Sequence, residues 1–351
     1  MKPFVYNALP SRVIFGSNTL YQIKDELRLL GKNRGLVLST AGQHKAASQV
    51  SNLLGEFSVG CFNGAVMHTP ITVTNDALKI VMETKADCII AIGGGSTIGL
   101  AKAIALNTNL PQIVIPTTYA GSEATPIIGQ TENGVKTTQR TLKVLPEVII
   151  YDVELTKTLP VPITITSAMN AIAHAIEALY SKDTNPFISM LAEQGIEALA
   201  RAIPIIYHSP LDSTARSDAL FGAWACGTCL GAVGMSIHHK LCHTLGGSFS
   251  LPHAETHTVI LPHAVAYNES ATTEVMARVA KALGVSNAAQ GLYDLAAQHG
   301  APTSLKEIGM NASDINLAVE IACASPYWNP RPIEANAIHN LLSNAFYGKR
   351  P

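Results

Sequence analysis

Six of the chain's 12 histidines, His238, His239, His243, His253, His257 and His263, fall within 26 residues. Imidazole is both a transition-metal ligand and the side chain that carries protons near neutral pH, so this density points to coordination or acid–base chemistry. On a helix His239 and His243 stand one turn apart on one face with Lys240 beside them, and His174 follows Asn170 at the same spacing. Taken singly, His238, His257 and His263 read equally well as satisfied core histidines.

A second group lies far upstream. An apolar run ending at Ile92 is followed by Gly93-Gly94-Gly95-Ser96 and a helix-compatible stretch. Glycines at a strand-to-helix turn let backbone N–H groups approach phosphate oxygens at the positive end of a helix. The turn is not GxGxxG, because Ile98 takes the last glycine's place, and it lacks the P-loop lysine. Pro116 to Glu123, with Thr117, Thr118 and Ser122, follows the next strand, which puts its hydroxyls at the same carboxyl edge of the sheet, where open α/β sheets bind ligands.

The elements that must position these groups divide the 351 residues in two. The first ~150 residues alternate β-branched runs (12–15, 36–39, 59–62, 88–92, 112–116) with helical patterns (18–30, 45–54, 74–84, 96–107), which implies a parallel sheet covered by helices. The polar stretch 129–140 followed by 144–151 reads as a β-ribbon returning to that sheet, and 152–162 as the hinge. Beyond it, helix-compatible spacing recurs at 166–180, 186–207, 213–230, 235–249, 274–283, 288–299 and 312–323. The fold class is therefore α/β, a parallel-sheet domain over 1–158 followed by a mainly helical domain over 159–351.

Composition narrows the function. With 24 Lys plus Arg against 25 Asp plus Glu, the chain has no field for gripping nucleic acid. Its apolar runs stop far short of the ~20 residues of a membrane span, and the first residues do not form a signal peptide, so a cytoplasmic protein is expected. Six scattered cysteines are too few for a disulfide framework and read as reduced thiols, Cys226 and Cys229 as buried helix cysteines.

The chain resembles the iron-containing alcohol dehydrogenase family and, within it, the maleylacetate reductase branch. The resemblance rests on Arg12-Val13-Ile14-Phe15-Gly16, the turn 93–96, the segment 116–123, Asn170 to Glu177, His239-Lys240-Leu241-Cys242-His243, Pro252-His253 and Leu261-Pro262-His263. It implies a dehydroquinate synthase-like pair of domains, a Rossmann-like dinucleotide-binding domain over 1–158 and an all-helical substrate domain over 159–351, and a homodimer. It also implies a cofactor site at Thr40, Gly93, Gly94, Gly95, Ser96, Thr117, Thr118, Ser122 and Lys136. Metal-using members hold iron or zinc through one aspartate and three histidines, and the matching positions here are Asn170, His174, His239 and His253. Asn170 brings no anion, and Lys240 places a cation where metal-using relatives commonly have glycine, so no metal is expected. Gly99 stands where the metal-dependent branch has aspartate. Thr40 stands where NAD-specific relatives have an acid, so NADH and NADPH are both expected as coenzymes.

The resemblance thus implies NAD(P)H-dependent reduction of 2-maleylacetate, a dicarboxylate, to 3-oxoadipate in aromatic-compound catabolism. Lys240 and His243 would stabilise an enolate and supply a proton, with His174, His239 and His253 lining the pocket and Arg331 a further candidate for a substrate carboxylate. The main alternative is a metal-dependent alcohol or glycerol dehydrogenase of the same family. A lyase resembling dehydroquinate synthase would need zinc, against which Asn170 argues, and a nucleotide-sensing module would not need the histidines.

Overall fold

The computed structural model describes residues 3–132 and 135–351, without the side chains of 132–136. The chain divides into two compact units, one spanning Asn7–Leu159 and the other Pro160–Pro351 together with the segment ending at Tyr6. That early segment leaves the N-terminal unit because the Tyr6 ring packs 4.9 Å from Phe187 of the helical unit.

The N-terminal unit is built on a six-stranded sheet of β1 (Arg12–Gly16), β2 (Gly35–Leu38), β3 (Ser58–Phe62), β4 (Cys88–Gly93), β5 (Gln112–Pro116) and β8 (Val148–Asp152). The order is β1-β8-β5-β4-β2-β3 and every pairing is parallel. Alternate residues of each strand feed opposite faces. Ile90, Ile92 and Ile113 join the core that takes in Leu27 of α1 (Ile23–Leu29) and Val50 of α2 (His44–Leu54), while Ile89, Ala91 and Val114 join the core with Ala77 of α3 (Ile71–Thr84) and Ile98 of α4 (Gly95–Thr108). The expected β-ribbon differs in extent. β6 (Ile127–Glu132) and β7 (Val135–Arg140) form a separate two-stranded sheet, with Thr131 making one isolated bridge to Pro70, and the run after them is β8, which enters the main sheet between β1 and β5.

The helical unit follows the single turn α5 (Val153–Thr156). It contains α6 (Val161–Tyr180), α7 (Pro186–His208), α8 (Ser213–Ala232), α9 (Ile237–Phe249), α10 (His253–Asn268), α11 (Thr273–Leu283), α12 (Ala288–Gln298), α13 (Asp314–Cys323) and α14 (Ala335–Phe346). α6 is buried continuously from Thr164 to Tyr180, packed by α7, α8 and α10. The sequence pattern misses α10, which is buried on nearly every side and carries Pro262 inside it, so it shows no amphipathic period. It also misses α14, which follows the proline-rich segment 330–332. All six cysteines are free thiols, Cys226 and Cys229 buried on α8. Among the described residues no single helix is long and apolar enough to cross a membrane.

Candidate active site

The N-terminal unit shapes a cradle at the carboxyl ends of β4 and β5. Their register pairs Gly93 with Pro116, so the loops that follow leave the sheet side by side, and Thr117 N–H donates to Gly93 C=O at 3.0 Å. Gly93 has φ +152°, and a Cβ there would sit 2.5 Å from Thr97 Oγ1 and 2.7 Å from Gln43 Oε1. A Cβ on Gly94 would meet Thr118 Cγ2 at 2.9 Å, whereas one on Gly95 would meet nothing within 4 Å. The turn is therefore closed on the Thr118 side and open at the start of α4, whose first N–H groups have no partner in their own helix. This fits a pyrophosphate. The side chain of Lys136 lies outside the described residues, so its expected place in this site is not described.

The loop after β5 is held from below by Lys102 of α4, fully buried, which donates to the carbonyls of Ser122, Thr125 and Ile127 at 2.6, 2.7 and 2.8 Å and faces Thr125 Oγ1 at 2.9 Å. Beside it Tyr151 donates its hydroxyl to the buried Glu123 carboxylate at 3.0 Å. Burial draws the Lys102 ammonium down to about 7, against the attraction of Glu123. Gly99 also has a physical reason, since a Cβ there would lie 2.4 Å from the hydroxyl of buried Thr69, leaving no room for the aspartate of the metal-dependent branch.

In the helical unit the histidines converge. Asn170, His174 and Glu177 share one face of α6 at i, i+4 and i+7 and are all buried. His174 stacks on His239 of α9 at 5.1 Å between ring centroids. His239 lies 6.0 Å from His243 and 5.1 Å from His257, and His257 lies 4.4 Å from His253. The expected group His174, His239, His243 and His253 is thus joined through rings, with His257 at its centre. Lys240 is not among these ring contacts, and its ammonium stands 5.7 Å from the Tyr327 ring centroid. Arg331 donates to the Tyr267 carbonyl at 3.0 Å and lies over that ring at 4.3 Å, which ties its head group to the fold.

The residue that the sequence quotes but assigns no role is Glu177. Its carboxylate accepts from Ser236 N–H at 2.9 Å, His238 N–H at 2.8 Å, His239 Nδ1–H at 2.6 Å and the Tyr180 hydroxyl at 3.1 Å. It caps the first turn of α9 and fixes the His239 ring so that Nε2 faces away. Burial pushes this carboxyl up, but His239 beside it, with its hydrogen bond, and the Ser236 N–H outweigh that and bring it down to about 2. The signal was the heptad spacing from Asn170 through His174 to Glu177.

The donors at the positions that the resemblance gives to a metal include no carboxylate. Asn170 Oδ1, His174 Nδ1 and His239 Nε2 are buried without a hydrogen-bond partner, yet none is anionic. Among the described residues the His, Cys, Asp and Glu side chains whose ligand atoms lie within 4.8 Å of one another are His238, Cys242 and His257, a different set.

Most of the cluster is held neutral. Burial, reinforced by the other imidazoles, lowers His174 and His257 well below 6.5 and His238 to about 3, and burial alone takes His263 to about 4. In the unfolded chain these groups titrate near 6.5, so below that pH the unfolded state binds more protons and the stability they contribute is lost as pH falls. Each adds up to about 1.4 kcal/mol per pH unit. We expect the urea midpoint of the helical unit to drop steeply between pH 6.5 and 4, and a midpoint independent of pH there would show that the imidazoles are solvated.

The family model for iron-containing alcohol dehydrogenase matches residues 10–153, and that for the C-terminal part of the Fe-containing alcohol dehydrogenase family matches 164–346. The chain is 54% identical over 351 residues to a maleylacetate reductase of Rhizobium sp. (strain MTP-10005) and 53% identical to one of Burkholderia cepacia, covering 100% of each chain in both cases. The crystal structure of a maleylacetate reductase from Agrobacterium tumefaciens superposes with a TM-score of 0.98 at 55% identity, again over 100% of both chains.

Proposed function

Because this chain belongs to the iron-containing alcohol dehydrogenase family, in its maleylacetate reductase branch, we propose that it reduces the carbon–carbon double bond of 2-maleylacetate with NADH or NADPH, giving 3-oxoadipate without a catalytic metal. The observation that carries the metal-independent form of this reading is the pocket lining. The unpartnered polar atoms of Asn170, His174 and His239, buried in the helical unit, suit an anionic substrate, and Asn170 brings no anion to offset a dication's charge.

When bound, the reduced nicotinamide supplies a hydride to the carbon β to the ketone. The N-terminal unit's part is to bind it, through the open first turn of α4 and the hydroxyls of Ser96, Thr117, Thr118 and Ser122. Thr40, after β2, offers no like charge to a 2′-phosphate, so both coenzymes are accepted. The helical unit's part is electrostatic. Hydride addition leaves an enolate on the substrate, which needs a positive or hydrogen-bonding partner until carbon is protonated. His243 supplies that proton and Lys240 the charge, the two standing about one turn apart on α9. Glu177 holds His239 rigid so that its Nε2, with His174 and His253, orients the substrate.

The test is nicotinamide absorbance with 2-maleylacetate after exhaustive chelation. Oxidation of one NADH per 3-oxoadipate formed is expected, at an unchanged rate. Activity lost on chelation and restored by iron or zinc, or oxidation of simple alcohols in place of this reduction, would favour the metal-dependent alcohol dehydrogenase.

A further inference from the structure

We propose that His238, Cys242 and His257 form a buried binding site for a borderline-soft divalent ion of the zinc class, distinct from Asn170, His174, His239 and His253. His238 and Cys242 are one turn apart on α9, and His257 comes from α10. The three residues are buried, at 1%, 1% and 0% exposure. His238 Nε2 lies 2.9 Å from His257 Nδ1, and Cys242 Sγ lies 3.7 Å from His238 Nε2. Tetrahedral zinc with Zn–N near 2.05 Å and Zn–S near 2.3 Å sets its donors about 3.4 Å apart for two nitrogens and about 3.6 Å for nitrogen and sulfur. The nitrogen–sulfur spacing is therefore already in place, and the two imidazoles need to part by roughly 0.5 Å.

The donor chemistry agrees. Two imidazoles and a thiol are the ligand types that zinc-class ions take, whereas the neutral amide of Asn170 is a hard, uncharged oxygen. The proton count is simple. One proton leaves, that of the Cys242 thiol. The proton shared by the imidazole pair stays on the protein, because the outer nitrogens, His238 Nδ1 and His257 Nε2, are buried without partners and can carry the N–H groups of both rings. Burial holds the metal-free Cys242 thiol neutral, and an ion bound there would remove that proton outright. The trio supplies three donors and leaves the fourth position to a small exogenous ligand. With no donor exposed, the ion would brace α9 against α10 and take no part in reduction, so the site stands independently of the reading above.

Cobalt(II) is the probe, because zinc has no d–d spectrum. Metal-free, reduced, full-length protein titrated with Co²⁺ is expected to bind one ion per chain with a thiolate-to-cobalt charge-transfer band and the intense d–d absorption of four-coordinate cobalt. Cys242→Ser should remove the charge-transfer band and weaken binding on the order of a hundredfold. His257→Gln should weaken binding with the fold retained, as read by circular dichroism, and His174→Asn should change neither band. Absence of binding, binding without the thiolate band, or a site lost in His174→Asn and kept in Cys242→Ser would overturn the proposal, the last by placing the ion at the family's position.

Discussion

Glu177→Ala is expected to cost the helical unit about 3–5 kcal/mol of stability and to lower kcat/KM on the order of a hundredfold, with NADH affinity unchanged. The stability loss has a structural cause. Glu177 is fully buried on α6 and takes four hydrogen bonds, two of them from the backbone at the start of α9. Alanine leaves those N–H groups, the His239 Nδ1–H and the Tyr180 hydroxyl without their acceptor inside the protein, and each unmade buried bond is costly. The melting temperature should fall on the order of 10 °C. The loss of turnover has a different cause, since His239 no longer has its ring orientation fixed and its Nε2 wanders. NADH affinity should hold because the residues proposed to bind the nucleotide belong to the other unit. Glu177→Gln keeps the shape but turns an NH₂ toward one pair of donors, so an intermediate loss is expected. An alanine variant with wild-type melting and kcat/KM would refute the positioning role, and a variant that loses stability alone would reduce Glu177 to a helix cap.

That residue also marks where sequence reading stops. β4, the glycine turn and α4 are legible because their signals are local: a run of buried apolar residues, three glycines and a helix start within about twenty positions. Asn170, His174, His239 and His243 are legible in the same way, as one-turn pairs. Glu177 acts on groups 59 to 62 residues away, and no local pattern says that α6 lies against the first turn of α9. His238 and His257 stay undecided in sequence for a related reason, since their 2.9 Å contact depends on α10, a helix without an amphipathic period. Gly99 is a converse case. Its identity is visible in the sequence, but the buried Thr69 hydroxyl that excludes a side chain comes from a residue 30 positions earlier.

Gly94→Val is expected to weaken NADH binding on the order of a hundredfold, about 2.7 kcal/mol, while leaving the helical unit's stability intact. Gly94 sits at φ −92° and ψ −161°, an extended conformation that valine adopts readily, so backbone strain is not the cause. Space is. The new Cβ would stand 2.9 Å from Thr118 Cγ2 and 3.0 Å from its Oγ1, and valine's two methyls add to that overlap. Thr118 must then turn away, and with it the loop that Lys102 and the Gly93–Thr117 hydrogen bond hold in place. Both walls of the phosphate cradle move together. Gly95→Ala separates displacement of the walls from obstruction of the ligand, because its Cβ touches no protein atom within 4 Å. If the open first turn of α4 is where the pyrophosphate lies, Gly95→Ala should also weaken NADH, without shifting the melting temperature of the N-terminal unit. Fluorescence titration of NADH into both variants decides the matter: unchanged affinity in Gly94→Val would remove the turn from the cofactor site. Unchanged affinity in Gly95→Ala alone would move the phosphates toward Thr117 and Thr118, leaving α4 as a support for the loop.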